Sequence, residues 1–499
     1  MRSGKKHLIA ISFLLAATTA TGQEENAGTN NKLGYNIERQ ISFGNGKNPL
    51  WLNANKYGLS SIKSNNGYLR LALDGHYKIG QSKTWELEYG ADLATAYNFT
   101  SSFIIQQLYT GIKYRKTGIW IGSKERAAHL KNAELSSGSQ TFGTNARPIP
   151  DIRIETPDYV NLIRNKKWLA FKFHFGYGLT TDKRWQKTFV AEGKRHTNYF
   201  FVHTKSGFIR LGDENKFPIV AEGGLEWATQ FGGTSYDINF GGYKDLKSNV
   251  GIKDFIKAIY GGGSDAIDVY KNSQGNSLGS WLFSLSYKLN NAKVRLYMDH
   301  FFEDHSQLFF QYGWKDGLYG TEITLPQNRI VGTLLYEYMR TDYQSGPIYH
   351  DGNATIPDQI SAIDNYYNHT IFPGWQHWGQ AIGNPLYTSP LYNGDHSINF
   401  SNNRFRAHHF GVSGNPFNEL HYRLLYTYTE NLGSYDRPFD DKKYNTSFMA
   451  ELTYSPKRIG LLHTEGNSLR CAFAFDKGNL IGNNTGFQIT LCSRGLFKL

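Results

Sequence analysis

From Tyr68 almost to Leu499 the chain repeats one pattern, in which apolar and largely aromatic side chains alternate with polar ones. In 84–97, Trp85, Leu87, Tyr89, Ala91, Leu93 and Tyr97 share one face while Glu86, Glu88, Asp92 and Asn98 occupy the other. Leu69, Leu71, Leu73, Tyr77 and Ile79 oppose Arg70, Asp74, His76 and Lys78 in the same way, and Leu169, Phe171, Phe173, Phe175, Tyr177 and Leu179 oppose Lys172 and His174. Trp281, Phe283, Leu285, Tyr287 and Leu289 stand against Ser284, Ser286 and Lys288, and Tyr422, Leu424, Tyr426 and Tyr428 against His421, Arg423, Thr427 and Thr429. Strand side chains alternate with period two, so each run predicts a strand with one greasy and one wet face. The runs have about ten to fourteen residues, whereas soluble strands average roughly five or six and a strand tilted across a bilayer needs about 9–11.

About sixteen runs meet these criteria: 68–79, 84–97, 103–115, 118–124, 168–179, 197–211, 218–232, 278–289, 292–303, 329–340, 404–412, 420–430, 446–455, 468–475, 487–497 and a weaker one near 307–325. The pattern predicts an all-β, antiparallel transmembrane β-barrel of 16–18 strands with Leu87, Leu93, Phe171, Phe283 and Leu424 facing outward. Three longer intervals, 125–167, 233–277 and 341–403, interrupt it. The first, rich in Arg, Pro and Asn, is long enough to fold into a lumen and block it. In the second, Ile252, Phe255, Ile256, Ile259 and Tyr260 recur at helical spacing before Gly261-Gly262-Gly263. This predicts a short amphipathic helix that plugs the lumen, lies over a mouth or merely caps a loop.

The first 22 residues read as a secretory leader, with Arg2, Lys5 and Lys6 ahead of the apolar stretch Leu8 to Ala17 and small residues Ala20-Thr21-Gly22 at the cleavage point. The expected organisation is therefore a signal peptide at 1–22, a periplasmic or lumenal segment at 23–64 and a barrel at 65–499. A mean hydropathy of −0.50 suits a barrel, which shows only every second strand residue to lipid. The 33 Tyr, 32 Phe and 10 Trp suit interfacial girdles. Formal charge is +12, or +9 once the leader's three cations are gone. For an exported protein this suggests lipopolysaccharide phosphate or an acidic glycan as neighbour and excludes nucleic acid; lumenal Lys and Arg facing Glu and Asp would account for much of it.

Cys471 falls in phase with Phe473 and Phe475, Cys492 with Gln488 and Thr490, so two hairpin-paired strands without a bulge would hold the thiols on opposite sides of the wall. No nucleophile elbow, His-Glu-x-x-His or zinc-spaced Cys pair occurs, and neither cofactor, metal nor catalytic residue is expected. Asp299, His300, Glu303, Asp304 and His305 crowd one hairpin. A solvated tip is the plainer reading of them than a hydrolase or metal site.

Four local patterns are more specific: Pro49-Leu50-Trp51-Leu52-Asn53-Ala54-Asn55-Lys56-Tyr57-Gly58; Gly122-Ser123-Lys124-Glu125-Arg126 with Glu134-Leu135-Ser136-Ser137-Gly138 and Asn145-Ala146-Arg147-Pro148-Ile149-Pro150; Gly224-Leu225-Glu226-Trp227-Ala228-Thr229-Gln230-Phe231-Gly232-Gly233; and Asp364-Asn365-Tyr366-Tyr367-Asn368-His369 with Gly374-Trp375 and Ile382-Gly383-Asn384-Pro385. In this order, and across residues 45–499, they resemble the Wzi-like capsule assembly proteins in the form carried by Bacteroidetes-type bacteria. The resemblance implies an outer-membrane barrel of about 18 strands with an occluded lumen. It further implies a non-catalytic protein, expected as a monomer, that helps assemble, attach or organise capsular polysaccharide at the cell surface. The chain departs from the enterobacterial pattern in leaving little room before the first motif for a periplasmic helical bundle, which puts direct transfer of the glycan-attachment role in doubt. The alternative is an open porin or glycan transporter with a charged lumen.

The residues add their own candidates. Trp375, His377 and Trp378, with Tyr366 and Tyr367, form an aromatic group in the longest interval that could stack sugar rings, unless it only fixes a loop. Arg147 and Arg153 read as lumenal ion-pair partners of Glu134 or Asp151, and Glu226 and Gln230 as members of a lumenal hydrogen-bond network.

Overall fold

A computed structural model describes residues 31–497 apart from 81–83, 165, 240–241, 249, 262–274, 304–307, 310–314, 351, 359, 361 and 460–461. The leader expected at 1–22, and Asp304 and His305 of the acidic hairpin, lie outside the described residues.

The chain forms a closed antiparallel barrel of 18 strands. In order they are β1 (Asn31–Asn45), β2 (Asn66–Ile79), β3 (Trp85–Tyr97), β4 (Phe103–Tyr114), β5 (Thr117–Ser123), β6 (Asp151–Glu155), β7 (Leu169–Leu179), β8 (Phe201–Leu211), β9 (Ile219–Phe231), β10 (Asn276–Lys288), β11 (Lys293–Glu303), β12 (Gly317–Thr324), β13 (Thr333–Arg340), β14 (Arg404–Phe417), β15 (Leu420–Gly433), β16 (Pro438–Tyr454), β17 (Asn467–Gly478) and β18 (Asn484–Phe497). Val160–Asn161 continues the place of β6 beside β7. Closure comes from β1, which pairs with β2 on one side and β18 on the other, so every backbone edge is satisfied within the wall, as a bilayer requires.

This corrects the segmentation expected from sequence: 31–45 is a wall strand rather than part of a periplasmic or lumenal segment, and the barrel starts well before residue 65. Arg39 explains why the strand hides in the sequence. It falls on the outward face with Ile37, Ile41 and Phe43, opposite Leu69 and Leu491, and interrupts the apolar phase. Elsewhere the faces follow the alternation. Leu93, Phe283 and Leu424 are exposed on the outside, whereas Glu88 points inward to Lys113 and Lys124 (3.1 and 3.0 Å). In the β17–β18 hairpin Ser468 faces Cys492 and Cys471 faces Ile489; both thiols are free, Cys471 exposed and Cys492 buried.

The longest connections leave the same end. Both strand termini of the barrel and the connections 80–84, 115–116, 156–168, 212–218, 289–292, 325–332, 418–419 and 455–466 lie at the other, short-turn end. From the long-loop end, 46–65, 124–150 and 341–403 turn inward and fill the lumen. Leu50, Trp51, Leu52, Leu135, Tyr366, Tyr367, Trp375, Leu386, Tyr387 and Phe400 from these segments pack with inward wall residues Phe301, Met339, Phe405, Leu425, Met449 and Ala474 as one buried apolar core. The amphipathic helix α1 (Ile252–Ile259) neither plugs the lumen nor covers a mouth: Phe255 packs against Tyr177, Phe201 and Phe231 on the outer side of the wall.

Candidate functional site

The lumenal plug is held by inward carboxylates of the wall, each collecting donors from the entering segments. Glu337 on β13 accepts from Ser136 Oγ (2.6 Å) and Ser137 N (2.7 Å) and bonds to Tyr297. Asp299 on β11 accepts from Gln140 N (3.0 Å) and pairs with Lys131 (3.1 Å). Asp476 on β17 accepts from Leu50 N (3.2 Å) and Ser447 Oγ (2.7 Å). Trp51 packs at a tilt against His409 and donates to Thr427 Oγ1 (3.1 Å), and His409 bridges Thr427 to the Leu135 carbonyl. A buried carboxylate must be compensated: Asp299 is ion-paired, and Glu337 and Asp476 are met by hydrogen-bond donors. Asp299 and Glu303 face inward as the alternation predicts, but Asp299 is fully buried and works as a plug anchor, not at a solvated tip. Among the described residues no His, Cys, Asp and Glu cluster could hold a metal ion.

The aromatic group splits in two. Trp375 is 1% exposed and donates from Nε1 to the Thr141 carbonyl (2.8 Å). Tyr366, Tyr367 and His377 are equally enclosed: Tyr366 donates to Asp316, Tyr367 stacks on Tyr387 and bonds the Gln140 carbonyl, and His377 donates from Nδ1 to the Arg147 carbonyl (2.8 Å) while Nε2 accepts from Thr181 N (3.2 Å). No ring face of these four is left for a sugar, which corrects the expectation for them; they are the plug's core. Burial pulls the His377 imidazole below its ordinary pKa.

Trp378 stays half-exposed, and local backbone presents it. Gln376–His377 and Gln380–Ala381 pair as a miniature hairpin whose two-residue turn, Trp378-Gly379, has φ of 55° and 79°. Two positive φ values are what a type I′ turn demands, and a bulky residue at the first of them is strained by about 1–3 kcal/mol. Asp182 fixes the turn by accepting from Trp378 N and Gln376 Nε2, both at 3.2 Å. The guanidinium of Arg147 lies 4.1 Å from the Trp378 ring centroid, and exposed Thr181 lies alongside. Lys183 and Tyr199 form a second cation–aromatic pair on the same loop.

Arg147 is therefore a stacking partner: no carboxylate among the described residues lies within ion-pair distance of it, Glu134 pairing with His421 (3.3 Å) instead. Burial brings the Arg147 guanidinium down to about 10. Arg153 does pair with Asp151 (2.8 Å). Glu226 lies 2.8 Å from His129 Nδ1, and Gln230 donates to the Gly374 carbonyl (2.8 Å) while accepting from Asn276 (3.2 Å), so both belong to the lumenal network. Reading the sequence missed Glu337, Asp299, Asp316 and Asp182 as hubs. Their one signal was a lone carboxylate at an inward or strand-flanking position, which spacing cannot tell from a wetted one.

No protein-family model matches the chain, and no curated protein matches it. Among solved structures it superposes on Wzi of Escherichia coli, described as an outer-membrane protein involved in group 1 capsule assembly and a carbohydrate-binding β-barrel. The TM-score is 0.54 at 11% identity, over 93% of this chain and 85% of that one. The fold is that of an outer-membrane barrel. OccAB4 of Acinetobacter baumannii (TM-score 0.46, 9% identity, 95% and 100% covered) and OccK3 of Pseudomonas aeruginosa (0.42, 8%, 94% and 96%) also superpose.

Proposed function

We propose that this chain is a plugged, non-conducting outer-membrane barrel of the Wzi-like kind that attaches or organises surface polysaccharide without catalysis. The observation that carries the reading is the plug: three segments share one apolar core with the wall and donate to its buried carboxylates Glu337, Asp299 and Asp476, an arrangement suited to presenting a fixed surface and unsuited to passing solute. Short turns face the periplasm and longer loops the outside in barrels of this class, so the plugged end with Trp378 and Thr181 would meet the glycan. Trp378, backed by the buried guanidinium of Arg147, supplies an apolar face for sugar C–H groups, and half-exposed Lys183 beside Tyr199 the positive charge an acidic polymer would seek. Planar-bilayer conductance of the purified protein tests the first half, since large steady channels would leave the open porin or glycan transporter as the better reading. Gene deletion tests the second. A glycan organiser should leave polymer synthesis intact and release polymer to the medium, whereas loss of a nutrient porin would slow sugar uptake and leave the capsule bound.

A further inference from the structure

On the outside of the wall, near its long-loop end, the apolar phase breaks down. Lys205, Thr229 and Ser277 occupy outward positions, in register with Phe175, His203 and Thr229 respectively. His203 is outward too and is enclosed by the rings of Phe175 and Tyr177. Thr229 and Ser277 bond each other (3.0 Å) and are buried. On a lipid-facing strand such groups need a cover, and α1 provides it. Phe255 sits among Tyr177, Phe201 and Phe231, the Tyr177 hydroxyl donates to the Phe255 carbonyl (2.6 Å), and Lys205 and Ser277 donate to the carbonyls of Ile259 and Gly261 at the helix's end. Gly261 is required at this contact: its φ is +85°, and a Cβ there would stand 3.0 Å from the Trp227 ring.

What the helix turns away from the barrel is apolar. Ile252, Ile256 and Tyr260, one helical turn apart, are 83%, 54% and 76% exposed, with exposed Lys253 beside them. Their height can be read from the strands. Ile219 and Tyr287 face each other near the short-turn end, and Thr229 and Ser277 face each other ten residues on. An apolar band about 25 Å tall, crossed by strands tilted about 40° at about 3.3 Å per residue, takes roughly ten residues, so α1 lies at the band's upper edge. An amphipathic helix there, with its stripe continuous with the wall's lipid-facing surface and a cation at its margin, has the build of an interfacial helix.

We propose that α1 is an interfacial foot seated in the outer leaflet: it covers the polar break on β8–β10 with one face and buries Ile252, Ile256 and Tyr260 at the acyl–headgroup boundary with the other. The inference rests on the barrel's standing in a bilayer and not on the glycan reading, so failure of glycan binding would leave it untouched.

The test uses the full chain carrying Cys471→Ser, reconstituted in phosphatidylethanolamine–phosphatidylglycerol vesicles. Nitroxide labels go at Ile256→Cys, at Ile209→Cys in the lipid-facing belt and at Glu192→Cys on an exposed loop. Collision with oxygen relative to a water-soluble nickel chelate should be several-fold higher at 256 than at 192 and approach the value at 209; adding Ile252→Asp should pull it toward that at 192. A ratio at 256 equal to that at 192 would overturn the proposal by placing the stripe in water. Exclusion of both reagents at 256 would overturn it by showing a protein cover, such as a second copy.

Discussion

Two tryptophans three residues apart should behave as different classes of residue, because one is core and the other surface. Trp375→Ala removes a side chain that is 1% exposed, packed with Phe142 and bonded to the Thr141 carbonyl, so it weakens the junction between 341–403 and 124–150, which Tyr367–Gln140, His377–Arg147 and Asn384–Gly138 also hold. Truncating a buried aromatic to alanine costs about 3–5 kcal/mol, and a carbonyl left dry adds about 1–3 kcal/mol. Taking only the first term, and tenfold per 1.4 kcal/mol, the undocked plug should become roughly two to four orders of magnitude more populated. Trp378→Asn takes away a half-exposed ring at a position where asparagine suits the type I′ turn better than tryptophan, so plug stability should change by less than about 1 kcal/mol or improve. Planar bilayers report the first variant as transient openings absent from the wild type, and a capsule-retention assay reports the second as weakened glycan binding with an electrically silent barrel. If Trp375→Ala stays silent while Trp378→Asn opens channels, the division into core and surface is wrong.

Phe283→Arg should destabilise the barrel against urea by about 2–4 kcal/mol if it lies near the midplane, because it puts a guanidinium in lipid. Glu88→Arg, mild by alternation alone, should also be damaging, since it opposes both Lys113 and Lys124; urea unfolding of the two variants tests the face assignment. Burial raises Asp316 to about 6 despite the N–H groups of Gln344 and Tyr343 that it accepts. A carboxyl raised in the folded state stabilises most when protonated, so its contribution is full below its ordinary value of 3.8 and is lost as pH climbs through about 6, a change on the order of 3 kcal/mol. Asp316→Asn should flatten that slope in thermal melts taken at pH 4 and pH 7.5; an unchanged difference between the two pH values would refute it.

The wall was legible because lipid on one side and water on the other impose period two on every strand, and residues such as Leu93 and Glu88 obey it without reference to any distant contact. β1 escaped for the same reason: with Arg39 on the outer face, the local pattern is broken, and only its pairing with Leu69 and Leu491 makes it a strand. The helix pattern at 252–259 was equally readable, but an apolar stripe at helical spacing says that a face will be covered and not by what. Tyr177, Phe201 and Phe231, drawn from three different strands, supply that answer only once the strands are side by side.

The plug shows why an aromatic cluster is so hard to assign from sequence in a protein of this kind. A girdle, a sugar platform and a protein core all want Trp and Tyr, and each allows one polar tip a partner. What separates them is where that partner sits. The indole of Trp375 and the hydroxyls of Tyr366 and Tyr367 find Thr141, Asp316 and Gln140, all in connections that enter or flank the lumen and lie up to 234 residues away. Trp378 is held through its backbone by Asp182, and its indole N–H reaches only exposed Thr181 (3.4 Å), which keeps its ring at the surface. A side chain whose polar tip is anchored inside the lumen is committed to the fold, and one whose tip meets an exposed partner stays available at the surface. By that criterion Arg147 belongs to the plug: it is 6% exposed, its guanidinium donates to Thr100 Oγ1 (3.4 Å) and lies against the indole of Trp378, and its carbonyl is bound by His377.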